Sequence, residues 1–68
     1  MRKVDKISQK ILHYIQTSSE PLETKEIELY LKETRIKILY RLHTLRGDRS
    51  IKGKPVGSGK GTWIWWKP

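Results

Sequence analysis

Residues 34–46, TRIKILYRLHTLR, have the spacing of an amphipathic helix with two contrasting faces. Ile38, Leu42 and Leu45 recur at three- and four-residue steps and form an apolar stripe. The opposite side carries no acid and consists of Ile36, Lys37, Tyr40, His43 and Thr44, with Arg41 at its border. A helix with one apolar side and one cationic side favours contact between the cationic side and a negatively charged partner. We therefore interpret it as a recognition helix over about residues 35–46, with the Thr34 hydroxyl as N-cap.

Composition restricts the classes of protein to which the chain can belong. Its 68 residues suit a single domain, and 15 Lys and Arg against 7 Asp and Glu give a formal charge of +8. This excess favours polyanions, namely DNA, RNA or an anionic membrane surface. There are no cysteines, so disulfides and cysteine-ligated metals are excluded. No apolar run is long enough to cross a bilayer, and we expect a soluble, intracellular protein of the cytoplasm, nucleoid or nucleus.

Two further helices are predicted before the recognition helix. Apolar residues recur at helical spacing from Val4 to Ile15, which predicts a first helix over about residues 5–17. A Thr-Ser-Ser-Glu-Pro turn cluster ends it. Leu22 is expected to make a one- or two-residue extended contact, which would be a very short extra strand. A second helix is predicted over about residues 24–32, and either Glu23 or Thr24 is its N-cap.

The last third of the chain changes character from helical to extended. Gly47 is a natural left-handed terminator for the recognition helix. Residues 51–56 and 62–66 have strand-like composition and flank a glycine-rich segment at 57–61, which predicts a basic hairpin over residues 51–66. Pro55 places the first of its strands at a sheet edge.

The tryptophans at the end of the chain are divided by strand alternation. Trp63 and Trp65 would share one face of the last strand, and Ile64 and Trp66 the other. We expect at least one of these faces to close the core under the first helix. Two aromatic side chains exposed together would instead form a binding patch.

The order of helix, short helix, turn, helix and basic hairpin resembles the winged helix-turn-helix family of DNA-binding domains. After an apolar residue at the end of the second helix, here Leu31, such domains place apolar residues seven, eleven and fourteen positions on. These positions are Ile38, Leu42 and Leu45, and Ile51 follows six positions later, where the wing opens. The resemblance covers essentially the whole chain. It implies an α+β fold of three helices followed by a two-stranded β-hairpin wing.

The resemblance also implies a set of DNA contacts. Carried over position by position, they fall in the helix on Arg35, Ile36, Lys37, Tyr40 and Arg41, and in the wing on Lys54, Ser58 and Lys60. Thr44 lies further along the same helix face and is included with them. Arg side chains match the paired acceptors of guanine, and Ile can touch a thymine methyl group. The expected function is sequence-specific binding of double-stranded DNA by a transcriptional regulator, with the third helix in the major groove and the wing on the backbone or minor groove.

A catalytic function has little support in the sequence. Residues 57–62, Gly-Ser-Gly-Lys-Gly-Thr, match part of a phosphate-binding loop, but that loop needs a buried strand before it and a helix after it. His13 and His43 are the only histidines, and neither has a neighbouring cysteine or acid pair that would build a metal or nucleophile site. We expect no enzyme activity, cofactor, metal or small-molecule substrate.

Other interpretations stay open from the sequence. The same fold serves as a protein-interaction adaptor, and RNA duplexes offer similar phosphates. Tyr40 with a wing tryptophan is similar to the winged domains that bind Z-form DNA, but Ile36 stands where those carry an asparagine, and their paired wing prolines are missing. Pairing of two copies on a two-fold operator is also left open, because one small domain reads few base pairs.

Overall fold

The computed structural model describes residues 5–57 and 62–68, which form three helices and a three-stranded antiparallel sheet. In chain order the elements are α1 (Lys6–Thr17), β1 (Leu22–Glu23), α2 (Thr24–Leu31), α3 (Arg35–Gly47), β2 (Lys52–Val56) and β3 (Thr62–Trp66). The predicted α+β class is confirmed, and the predicted helix bounds agree to within one residue. Within the described ranges, no helix is long and apolar enough to cross a membrane.

Side chains just before the helices satisfy the free N–H groups of their first turns. Asp5 caps α1, and its carboxylate accepts a hydrogen bond from the Ser8 backbone N–H at 2.8 Å. Glu23 is the N-cap of α2 and forms a capping box with Glu26, in which the Glu23 backbone N–H donates to the Glu26 carboxylate at 2.8 Å. This settles the alternative between residues 23 and 24.

The end of α3 corrects one prediction. Gly47 was expected to terminate the helix in a left-handed conformation, but it is the last helical residue. Asp48 keeps right-handed backbone angles, and its N–H donates to the Thr44 carbonyl at 3.0 Å, so the helical hydrogen bonding continues past the glycine. The left-handed residue is Arg49, with φ 65°, and the chain turns there as the Ser50 N–H donates to a carbonyl of the last helical turn.

β3 lies in the middle of the sheet, between β1 and β2. The predicted extended contact at Leu22 is confirmed as a two-residue strand in which Leu22 pairs with Trp65. β1 thus makes the sheet three-stranded where the hairpin alone would give two strands. Pro55 lies in β2 and pairs with Trp63 of β3. β2 is an edge strand of the described sheet, which confirms the position predicted from the missing N–H of proline. Gly57 follows β2 with φ 80°, a left-handed conformation that glycine adopts without a steric penalty.

The core lies between the three helices and one face of the sheet. It includes the predicted apolar stripe of α3 and Ile51, the residue that opens the hairpin. The buried residues of the core are Ile11, Ile15, Leu22, Ile27, Ile38, Leu42, Leu45, Ile51 and Trp65. Trp65 is fully buried, and its indole N–H donates to the Thr24 hydroxyl at 2.9 Å inside the core. Because a buried indole N–H without a partner would be costly, this bond fixes the ring in one orientation.

Candidate nucleic-acid interface

The outward side of α3 carries large apolar groups that the fold does not use. Since Ile38, Leu42 and Leu45 are buried, the opposite side of the helix faces solvent. Ile36 is 81% exposed and Tyr40 is 71% exposed, four residues apart and therefore neighbours on the helix surface. An exposed apolar pair among cations is typical of a surface that meets a partner. We call the set of predicted contact residues on this helix the α3 surface: Arg35, Ile36, Lys37, Tyr40, Arg41 and Thr44.

Two cations at the start of α3 are only loosely paired. Arg35 lies 3.9 Å from the Glu28 carboxylate of α2, and Lys37 lies 3.7 Å from the carboxylate of Glu33. More than half of each cationic side chain is exposed. Exposed pairs of this kind contribute about 0–1 kcal/mol each, so a phosphate can replace the carboxylate at little cost.

Arg41 is held much more firmly than either of these cations. Its Nε and Nη2 groups both lie 2.9 Å from the same carboxylate oxygen of Asp5, and its Nη1 donates to the Lys37 carbonyl at 3.2 Å. Only 23% of the Arg41 side chain is exposed. The hydrogen bond from Arg41, followed by that from the Ser8 backbone N–H, lowers the pKa of Asp5 from 3.8 to about 2.

Sequence reasoning missed these acids. The outward side of α3 contains no acid of its own, as predicted. Carboxylates from three neighbouring segments nevertheless lie beside its cations, namely those of Asp5, Glu28 and Glu33. Asp5 was visible in the sequence only as a favourable residue at the start of the first helix. Its contact with Arg41, 36 residues away, follows from how α1 crosses α3 and leaves no local sequence signal.

Thr44 and His43 lie further along the same helix and differ in their surroundings. The Thr44 hydroxyl donates to the Tyr40 carbonyl at 2.9 Å, so in this arrangement it can only accept from a ligand. The His43 ring meets Trp63 and Trp65 edge-on, with centroids 5.0 and 5.2 Å apart. His43 is exposed, as expected, yet these contacts with the tryptophans orient its ring.

Lys54 does not join the α3 surface directly. In the hairpin register it lies opposite Ile64, on the sheet face that also carries Trp66. Trp63 and Trp65, which contact α3 through His43, belong to the other face. Lys54 lines an open cleft formed with Ile64, Trp66 and the turn after α1. The predicted wing contacts Ser58 and Lys60 lie outside the described residues.

Residues 58–61 of the glycine-rich segment also lie outside the described part of the chain, so its partial likeness to a phosphate-binding loop stays a matter of sequence alone. Among residues 5–57 and 62–68, no group of three or more His, Asp or Glu side chains is placed to hold a metal ion. Comparison of the chain with known protein families, with curated proteins and with solved structures gives no match. Function is therefore inferred from the chemistry of the α3 surface.

Proposed function

We propose that this chain is a winged helix-turn-helix protein that binds double-stranded DNA sequence-specifically and acts as a transcriptional regulator. The order of elements supports the fold assignment: three helices, a short strand between the first two, and a strand pair after the third. In this proposal α3 enters the major groove with its outward side, while its apolar stripe stays in the core.

The observation that carries the proposal is the pair Ile36 and Tyr40, exposed on α3 beside loosely held cations. Arg35 and Lys37 can neutralise phosphates at the groove edge, because their intramolecular partners are weak. The Tyr40 hydroxyl can hydrogen-bond a base edge or a phosphate, and the Ile36 side chain suits a thymine methyl group. These groups combine positioning contacts with base contacts, as a sequence-reading helix requires.

The hairpin has a supporting role in the proposal. Lys54 lies on the sheet face away from α3, so we expect it to contact a flanking phosphate and not the bases under the helix. Ser58 and Lys60 are proposed to contact the backbone or minor groove. With a formal charge of +8, affinity should fall steeply as salt concentration rises.

The experiment that tests the proposal measures binding of fluorescent duplexes of several sequences by anisotropy. Tyr40→Ala should reduce the difference in affinity between duplexes, whereas Lys60→Ala should weaken all duplexes alike. Lys25→Ala is a matched control, because Lys25 is an exposed lysine on α2 that is not part of the α3 surface. If Tyr40→Ala weakened every duplex equally, as Lys60→Ala is expected to do, base reading by α3 would be contradicted.

A second candidate function is that of a protein-interaction adaptor, favoured by apolar exposure on α2. Leu29 and Tyr30 are also largely exposed, and the Tyr30 ring stacks on Tyr14 with centroids 3.9 Å apart. A protein partner could bury these residues. This candidate would replace the first if the protein ignored DNA at low salt and bound an acidic protein instead.

A further inference from the structure

The cations of the α3 surface differ in how they are held. Arg35 and Lys37 each lie more than 3.5 Å from a single carboxylate oxygen. Arg41 instead has two of its nitrogens at 2.9 Å from Asp5 and a third bonded to a backbone carbonyl. A cation held by two hydrogen bonds and a close ion pair cannot move toward a passing phosphate as a free side chain can.

Both carboxylate oxygens of Asp5 have partners. One carboxylate oxygen accepts a hydrogen bond from the Ser8 N–H at the start of α1. The other lies 2.9 Å from both Nε and Nη2 of Arg41. The two oxygens therefore have separate tasks, one in capping the helix and one in holding the guanidinium. The hydrogen bonds from Arg41 and Ser8 also lower the pKa of Asp5, because both favour its charged form.

The pair with Asp5 leaves Arg41 enough N–H donors to bind the edge of a base. A guanidinium has five N–H donors, and two of them donate hydrogen bonds, from Nε to Asp5 and from Nη1 to the Lys37 carbonyl. The donors that remain are enough for the two major-groove acceptors that guanine offers to an arginine. The Asp5 charge also cancels most of the attraction of Arg41 for a phosphate at longer range.

We propose that Asp5 is a specificity-determining positioning residue of the α3 surface, an inference that rests on the DNA-binding function proposed above. Asp5 holds the Arg41 guanidinium in place and withdraws it from general phosphate binding. Arg41 then contributes to the choice between sequences, while Arg35 and Lys37 supply the attraction common to all DNA. Releasing Arg41 should strengthen binding to any duplex and weaken discrimination.

The test uses Asp5→Asn with a control of equal charge change. Asparagine is a good N-cap, so α1 keeps its capping hydrogen bond while the carboxylate charge is lost. Asp5→Ser is a second variant that also retains a cap but has a side chain too short to hold Arg41. Glu26→Gln is the control, since Glu26 is an exposed acid on α2, outside the α3 surface, and glutamine keeps the bond to the Glu23 backbone N–H.

Binding to a random-sequence duplex is measured by anisotropy over a range of salt concentrations. We expect Asp5→Asn to tighten this binding roughly fivefold at low salt. It should also steepen the slope of log affinity against log salt by about 0.9, the value of one added phosphate contact. Glu26→Gln should change affinity less than about twofold and leave the slope unaltered, because its charge acts only through the long-range field. Across duplexes of different sequence, Asp5→Asn and Asp5→Ser should bind more evenly than the wild-type chain.

The possible failures are distinguishable. If the wild-type chain and all variants bind no duplex at low salt, the DNA-binding function fails and the inference fails with it. If the wild-type chain binds but Asp5→Asn matches Glu26→Gln in affinity and slope, or binds more weakly, the role of Asp5 is overturned while DNA binding stands. Circular dichroism of each variant verifies that the compared proteins are folded.

Discussion

Replacing Gly53 with alanine should destabilise this fold more than any other single added methyl group that we consider. Gly53 pairs with Trp65 across β2 and β3, and the indole ring lies directly over it. A Cβ at residue 53 would stand 2.4 Å from Cε3 and 2.7 Å from Cζ3 of that ring, and 3.2 Å from the Ile64 carbonyl oxygen. These distances are far inside normal contact. Only glycine lets the two strands and the tryptophan come this close.

The magnitude depends on whether the ring can move aside. Trp65 is fully buried and its indole N–H is bonded to the Thr24 hydroxyl, so displacement would break a buried hydrogen bond as well as disturb packing. Overpacking costs about 1–3 kcal/mol in well-packed cores, and we expect a value of about 3 kcal/mol here. For a domain this small, such a loss lowers the melting temperature by roughly 15 °C.

Thermal and urea unfolding, followed by tryptophan fluorescence and circular dichroism, measure the effect. Gly47→Ala is the matched control, because a Cβ there meets nothing within 4 Å and the residue is helical. It should be neutral or stabilising by up to about 1 kcal/mol. If Gly53→Ala unfolded at the same denaturant concentration as the wild-type chain, Trp65 could not cover Gly53 as described.

Three further predictions concern the helix ends and the α3 surface. The pKa of Asp5 is lowered from 3.8 to about 2, so its pair with Arg41 stabilises the fold above pH 4 and this contribution is lost as the pH falls toward 2. Since Asp5 is half exposed, urea melts should show that Asp5→Asn costs about 1 kcal/mol at pH 7 and that this cost disappears only below pH 2; equal stability at pH 7 would refute this. Thr34→Ala removes a long cap bond of 3.5 Å to the Lys37 N–H and should cost about 0.5 kcal/mol, with Thr34→Ser unaffected in the same assay. Tyr40→Ala should change the free energy of unfolding by less than about 0.5 kcal/mol while weakening DNA binding, and a loss above about 1 kcal/mol would mean that Tyr40 serves the fold.

Much of the fold follows from local patterns that the sequence displays. The spacing of Ile38, Leu42 and Leu45 predicts which side of α3 is buried, because helical periodicity alone determines it. Alternation in the last strand correctly separates Trp65 from Ile64. The end of α3 was not predictable in the same way, since its left-handed turn falls on Arg49, where the path to β2 requires it, and not on the nearby glycine.

Local sequence patterns predict only part of the candidate site. The exposure of Ile36 and Tyr40 follows from the burial of the opposite stripe. The carboxylate of Asp5 beside Arg41 depends on tertiary packing between distant segments. The placement of Lys54 on the far face of the sheet required the register between the two hairpin strands, which composition does not specify.

The most direct test of DNA recognition by α3 is an NMR titration of the labelled protein with a random-sequence duplex, then with GC-rich and AT-rich duplexes, at low and moderate salt. We predict shifts of the backbone amides of residues 35–44 at low salt that diminish as salt rises, with differences between duplexes at Lys37, Tyr40 and Arg41. If the amides of residues 35–44 do not shift with any duplex at low salt, α3 does not recognise DNA.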